Sequence, residues 1–440
     1  MGRSKGAAAR RRKADAARKA SAPKINAEAT KIEAEAPSQL MPDDLLANIH
    51  DRLQFLDRVA FAAVFAASCG DDVFKPQAPW LLLPSDNKPA TVQLFSIADR
   101  RGATVPAPEP ALRDHLVLGS ARGWLATADV RAQIYLVNPA SREQHELPHL
   151  STMGVFQPGT NYRNFTVKVD PLLTIRYGHG PPFNHYWCNS HTWSSDLMRT
   201  SVYRKVVLSP SPRPGTYAAM LISSRQFGAP AFASAQDPKW RLASSPDGIE
   251  DAIHHDGQFY SVNYAGLVEA WERDAESGAY TSTAVAPRLP IQEHKERDTE
   301  PSCRKYLAIA PGGRLMVVIK YPQQSQNKWW CSFKVHVLCD DGQWKETKDI
   351  GDLALFVGMN NSLCMPTIGR PQIKAGCVYY TDDQLHDAEM RKRYSSRDDS
   401  DLRAVGVYNL RDGTVKKIEA LGKEQRNFYP PPVWITPSIP

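Results

Sequence analysis

Nowhere does this chain hold the roughly 20 consecutive apolar residues that crossing a bilayer requires. Its most apolar run, 60–67, is short and follows Asp57 and Arg58. The first residues carry charge where a secretory leader needs an apolar centre. Gly6 stands where a myristoylation signal wants Ser or Thr. No membrane partner is expected, and the sequence predicts a protein of the nucleus, the cytoplasm or both.

Cysteine is sparse and odd in number: Cys69, Cys188, Cys303, Cys331, Cys339, Cys364 and Cys377 are scattered, with no C-x-x-C pair. That pattern suits buried thiols in a reducing compartment and excludes a disulfide framework or a zinc ribbon. Catalytic signatures are missing as well. There is no G-x-S-x-G, phosphate loop, H-E-x-x-H or dinucleotide fingerprint. His254-His255-Asp256 could be imagined as metal ligands, but neighbours on a strand point to opposite faces. They read instead as the entry to a turn at Asp256-Gly257. The pairs Asp340-Asp341 and Asp382-Asp383 read as solvated turn residues. No enzyme, metal or cofactor is expected.

Excess charge is absent from most of the chain. The formal net charge is +7, yet nine of the 54 basic and one of the 47 acidic side chains lie in 1–24, which leaves 45 against 46. A neutral body gives no electrostatic reason to bind a phosphate backbone, so no nucleic-acid partner is expected. The segment 1–37 is rich in Ala, Lys, Arg and Glu and poor in large apolar residues, which predicts a disordered basic tail. Within it, Arg10, Arg11, Arg12, Lys13, Arg18 and Lys19 form a candidate nuclear import signal, with a solvated tail or a weak organelle-targeting peptide as the alternatives.

At Pro42 the pattern changes. Leu45, Leu46, Ile49, Leu53 and Leu56 recur at helical spacing, after a proline and two aspartates suited to a first turn. A break at 54–57 leads to a second short helix carrying Val59, Phe61, Ala63 and Val64. Two such helices cannot bury a stable core alone and need a third element or a partner surface.

From about residue 80 short apolar runs alternate with turns, for example 124–127, 134–137, 205–208, 259–262, 315–319, 333–338 and 378–381. Gly312-Gly313, Asp341-Gly342 and Asp412-Gly413 punctuate them as hairpin loops do. Proline (34) outnumbers glycine (26), which favours short strands over long helices. A turn glycine leading into an apolar strand recurs at Gly123, Gly257, Gly313 and Gly376, which suggests repeated sheet units. Some 350 residues of strands exceed a single sandwich. The charged stretch 384–403 reads as an extended loop, and the tryptophans 187, 193, 240, 271, 329, 330 and 344 as packing between units.

The string Met41-Pro42-Asp43-Asp44-Leu45-Leu46, with Ile49, Arg52, Leu53, Asp57, Arg58, Phe61, Ala63 and Val64 at these spacings, resembles the F-box. That resemblance implies docking onto a Skp1-like linker protein and, through it, a cullin–RING ubiquitin ligase. Pro42, Leu45, Leu46, Ile49, Leu53, Phe61 and Val64 would form the apolar docking face or the core behind it. An amphipathic helix laid in an apolar groove is read at this spacing. The chain departs from the family where Val64-Phe65-Ala66-Ala67-Ser68-Cys69 replaces the usual Val-Cys-Arg-x-Trp. Two readings therefore stay open, a working F-box and a decayed one.

The remainder resembles the plant KIB-type β-propeller (domain of unknown function 295), which commonly follows an F-box. The matching strings include Gly119-Ser120-Ala121-Arg122-Gly123-Trp124, Leu136-Val137-Asn138-Pro139 and Asp251-Ala252-Ile253-His254-His255-Asp256-Gly257. Further on come Gly351-Asp352-Leu353-Ala354-Leu355-Phe356-Val357-Gly358 and Gly376-Cys377-Val378-Tyr379-Tyr380-Thr381. The expected fold is mainly β: a β-propeller over 80–440, a small helical F-box over 38–75 and the tail over 1–37. The expected function is substrate recognition in an SCF-type ligase, the propeller holding an unidentified protein target. The alternative is a propeller protein-binding module acting outside any ligase.

Overall fold

The computed structural model describes residues 41–65, 73–74, 77–84, 91–107, 115–159, 166–169, 191–210, 212–213, 215–224, 227–291, 303–325, 328–394, 403–421 and 429–437. The basic residues at 10–13, 18 and 19 lie outside that set.

The alternation of apolar runs with two-residue turns produces antiparallel hairpins, and six sheets built from them stand around one axis as a six-bladed propeller. Blade 1 takes Trp80–Leu83, Thr91–Ser96 and Arg101–Pro106, joined on its inner side by Val433–Ile435 from the far end of the chain. Blade 2 runs through Leu116–Ala121, Trp124–Ala128, Ile134–Asn138 and Glu143–Glu146. Blade 3 holds Tyr203–Leu208, Ala218–Ser223, Ala231–Ser234 and Asp237–Leu242. Blade 4 holds Ile249–His255, Gln258–Asn263, Val268–Arg273 and Tyr280–Ala286. Blade 5 holds Arg304–Ile309, Leu315–Ser325, Lys328–Leu338 and Trp344–Thr347.

Blade 6 departs from the simple meander. Its inner strand, Leu363–Pro366, follows Leu353–Val357 in the chain, which then pairs in parallel with Cys377–Thr381. Val405–Asn409 and Val415–Lys416 complete it. A separate three-stranded sheet of Phe156–Pro158, Thr166–Val169 and His191–Ser194 is inserted between blades 2 and 3.

Innermost strands of successive blades touch in order from blade 1 to blade 6. Pairing the last strand with the first builds blade 1 from both ends of the chain, which closes the ring. Blades 2 and 3 approach closely at Gly119. A Cβ on Gly119 would stand 1.9 Å from the Val206 carbonyl oxygen, so only glycine fits there.

Two of the recurring turn glycines fall at the same structural place, whereas Gly376 leads into the third strand of blade 6. Arg122-Gly123 and Asp256-Gly257 both have positive φ at each residue and join the inner strand to the second strand in blades 2 and 4. Such two-residue loops match the twist of the strands they connect. Two tryptophans also share a role. Trp240 Nε1, on the outer strand of blade 3, donates to the Pro148 carbonyl at 2.6 Å. Trp344 Nε1, on the outer strand of blade 5, does the same to Pro287. Each ties a blade to the segment leaving the blade before it. Trp271 is buried within blade 4, whereas Trp329 and Trp330 are half-exposed; Trp187 is outside the described residues.

Two sequence expectations fail. Part of the stretch expected as a loop, Leu385–Tyr394, is a helix. Its Leu385 and Ala388, one turn apart, are buried, and the many charges around them masked that short apolar edge. Asp382 and Asp383 are not solvated turn residues but buried ones, because cations from blade 5 and from this helix converge on them. Among the described residues no helix is long and apolar enough to cross a membrane.

Candidate functional site

Two regions could meet a partner: the helix pair at one end of the chain and the charged ring of inner strands at the propeller axis.

The helix pair forms as its sequence dictates. Asp43–Arg52 begins after Pro42 with two aspartates in its first turn, and Phe55–Phe65 follows after a two-residue break. Arg58 fixes the corner between them by donating to the carbonyls of His50, Asp51 and Leu53. Arg101 of blade 1 also donates to Leu53, at 2.9 Å, and Asp99 lies 3.6 Å from Arg58. Phe55 packs on Trp80 with ring centroids 4.7 Å apart, and Val59 joins the same cluster. Burying apolar side chains of this size stabilises the contact by about 1.5–3 kcal/mol each.

The seven residues singled out from the F-box resemblance therefore divide. Leu46 is fully buried (0% exposed). Ile49, Leu53 and Phe61 are half-buried, with the Phe61 ring tilted against Phe65, centroids 4.6 Å apart. Pro42 is exposed, and Leu45 and Val64 present apolar surface at 47% and 58% exposure.

At the axis the inner strands of blades 3, 4 and 5 begin with charged pairs of alternating sign: Arg204-Lys205, Glu250-Asp251 and Arg304-Lys305. Because adjacent strand residues face opposite ways, blade 4 can pair with both neighbours. Lys205 Nζ lies 2.6 Å from Asp251 Oδ1, and Lys305 Nζ lies 2.8 Å from Glu250 Oε2. Asp251 also accepts the Leu307 backbone N–H at 2.9 Å. All four side chains are buried, so each charge needs its partner. Burial pushes Lys205 down and Asp251 up from their ordinary pKa values.

The segment before the inner strand of blade 6 reaches across the axis. The Asn361 backbone N–H donates to Ser120 of blade 2 at 2.9 Å, and its amide Nδ2 donates to the Leu208 carbonyl of blade 3 at 3.0 Å. Ser362 Oγ approaches Asp251 of blade 4 at 3.4 Å. Blade 3 stands opposite blade 6, so these bonds span the central channel.

Beside this crossing lies an open cavity of about 280 Å³, bordered by blades 3 to 6. Arg204, Arg304, Lys320, Arg391 and Arg403 line it together with Asp382, Asp383 and Asp387. Arg304 Nε donates to Asp383 at 2.7 Å, Lys320 lies 3.6 Å from the same carboxylate, and Arg391 pairs with Asp382. Burial alone would raise the Asp383 pKa, but Arg304 and Lys320 outweigh it and hold the carboxyl well below the usual range. Sequence reasoning missed this cluster. The available signal was an Arg-Lys pair opening two otherwise apolar strands. His254 and His255 diverge as expected: His254 packs edge-on against Phe259, while His255 pairs with Asp256 at 3.1 Å. Among the described residues no cluster of three His, Cys, Asp or Glu could hold a metal.

Comparison with known proteins agrees with this architecture. The KIB1-4 beta-propeller family matches residues 94–409. The F-box protein SKIP23 of Arabidopsis thaliana is 21% identical over 421 residues, covering 90% of this chain and 95% of that one. The Arabidopsis F-box protein At2g17036 is 22% identical over 235 residues, half of this chain and 53% of its own length. Among solved structures, the Cps50 (Swd1) beta-propeller domain of Myceliophteria thermophila has 8% identity and a TM-score of 0.28. It covers 69% of this chain and 85% of its own, a likeness too slight to argue from. With more than two thirds of its length matched, the chain belongs to the KIB1-4 β-propeller family.

Proposed function

We propose that this chain is a substrate-recognition adaptor of an SCF-type ubiquitin ligase. The helix pair docks a Skp1-like linker protein, and the propeller holds a protein target. The observation that carries the docking half is the division of the helix pair. Leu46, Phe55 and Val59 turn inward to anchor it, while Leu45 and Val64 keep apolar surface exposed. Two anchored helices presenting exposed leucine and valine suit an apolar groove on a partner. The full-length relative SKIP23 carries the F-box name, which supports the same reading. In this reading 38–75 is the docking unit, 80–440 the target-binding unit and 1–37 a tail that carries the import signal to the nucleus. The chain acts by raising the local concentration of its target, with catalysis supplied by other subunits.

A second reading has its own support. Val64-Phe65-Ala66-Ala67-Ser68-Cys69 departs from the F-box ending, and Leu46, expected in the docking face or the core behind it, is spent on the fold. In that reading the propeller binds proteins outside any ligase. Mixing the purified chain with Skp1, cullin and RING subunits separates the two. Co-elution as one assembly on size exclusion supports the adaptor, and elution of the chain alone supports the second reading.

A further inference from the structure

Each blade ends on an outer strand whose backbone is open on one side, and a sheet edge of that kind is a template on which another chain can pair. Sheets blunt such edges with charge, proline or brevity. Five of the six blades do so. Arg101–Pro106 carries its arginine and proline, Glu143–Glu146 two glutamates, and Trp344–Thr347 a lysine and a glutamate. Asp237–Leu242 holds Asp237, Pro238, Lys239 and Arg241, and Val415–Lys416 is two residues long. Blade 4 is the exception. Its outer strand, Tyr280–Ala286, reads Tyr-Thr-Ser-Thr-Ala-Val-Ala, longer than the other five and without charge or proline. Thr281, Thr283, Ala284 and Val285 are exposed, and the one bulge falls at Val285, so Tyr280 to Ala284 stays regular. Among the described residues no further strand or loop pairs with its outer side.

We propose that this edge receives an extended, uncharged segment of a protein partner as a fifth strand of blade 4. The inference rests on the reading that the propeller holds a protein target, and it names the place and the kind of segment. In this mode main-chain hydrogen bonds supply affinity and alternate side chains supply specificity. The template is held in position. The Tyr280 ring stacks on Phe232 of blade 3 with centroids 4.1 Å apart, and Ser282 Oγ donates to Glu269 at 2.9 Å. A fixed edge leaves less ordering to be lost on binding. Thr281 and Thr283 share one face of the strand, so β-branched residues of the incoming segment meet β-branched neighbours. A second copy of the chain fits less well. Seven residues make an edge about 24 Å long and about 5 Å wide. That is far below the roughly 800 Å² per partner that holds two folded bodies together. An extended peptide, which pairs along its whole length, needs no such area.

Amide exchange of the full chain tests this, with and without a synthetic peptide of alternating threonine and valine, seven residues long and capped by serine at both ends. The control is the same peptide with two consecutive prolines at its centre, which removes donors from both of its edges. The alternating peptide is expected to slow exchange within 280–286 and to leave the guarded outer strands Glu143–Glu146 and Asp237–Leu242 unchanged, and the proline peptide to slow neither. A Thr281→Lys, Thr283→Lys variant changes two exposed positions and should keep its thermal unfolding while binding the peptide about tenfold more weakly or worse. Equal binding of the two peptides, protection spread over the guarded strands, or full binding by the lysine variant overturns the assignment. Protection of 280–286 that rises with protein concentration alone, with a dimer on size exclusion, overturns it in favour of a second copy. No linker or ligase subunit enters the assay, so its failure leaves the docking of the helix pair standing, and failure of that docking leaves this edge standing.

Discussion

Lys205 of blade 3 and Asp251 of blade 4 form an ion pair at 2.6 Å, with neither side chain exposed. Taking two charges out of water costs several kcal/mol per ion, so each tolerates burial only because the other is present. Lys205→Met should strand the Asp251 carboxylate and destabilise the propeller by about 3–5 kcal/mol in urea unfolding. The double variant Lys205→Met, Asp251→Leu should recover most of that loss. A cost below about 1 kcal/mol for the single change would show that the pair is not buried as described.

Blades 2 and 3 meet at Gly119, where a methyl group would overlap the Val206 carbonyl oxygen. Gly119→Ala should cost about 1–3 kcal/mol or more, because the backbone of an inner strand must move. Gly215→Ala, with nothing within 4 Å of its added carbon, is the matched control and should be near neutral. Thermal unfolding of the two variants side by side measures the difference.

The anchoring of the helix pair is separable from the propeller itself. Phe55→Ala removes the ring that packs on Trp80 and should cost about 3–5 kcal/mol. That loss is expected to be local. Amide exchange across 43–65 should accelerate while the inner strands of blades 3 to 5 stay protected. Uniform acceleration across the blades would instead mean that the helices are part of one cooperative unit.

Acid sensitivity has an identifiable contributor in His254, whose pKa is lowered to about 4 by burial, with His255 adding to the effect. The unfolded chain takes up a proton near pH 6.5 while the folded one does so only near 4. Stability therefore declines as pH falls from about 6.5 to 4 and levels off below that. Allowing for its partial solvent access, the loss should be about 1–2 kcal/mol. His254→Gln should flatten that portion of the stability curve in chemical unfolding measured across the same range, and an unaltered slope would assign the effect elsewhere.

Much of this architecture was legible because it is local. Helical spacing from Leu45 to Leu56, the break near Gln54 and the paired turn residues Asp256 and Gly257 all follow from nearest-neighbour chemistry. The apolar runs and turns pointed to a β-rich fold, and the resemblance of strings such as those at 351–358 and 376–381 to the KIB-type family pointed to a propeller. What stayed hidden depends on long-range convergence. Arg304 and Asp383 are 79 residues apart, so nothing near Asp383 announced that it would be buried against a cation. The helix Leu385–Tyr394 hid for a related reason, since only Leu385 and Ala388 mark its buried edge and their partners come from elsewhere. For the helix pair, periodicity identified apolar positions but not which of them the blade would cover. That is why Leu46 and Leu45, adjacent in sequence, play opposite parts.

The adaptor reading is tested most directly by pull-down of the full chain with a purified Skp1-like linker, beside a Leu45→Asp, Val64→Asp variant. Both positions are already exposed, so the substitutions should leave thermal unfolding unchanged. Two charges in an apolar contact should nevertheless abolish an interface that buries them. The account predicts capture of the unmutated chain and its loss in the equally stable variant. Failure of the unmutated chain to bind, or equal binding by both, would contradict it.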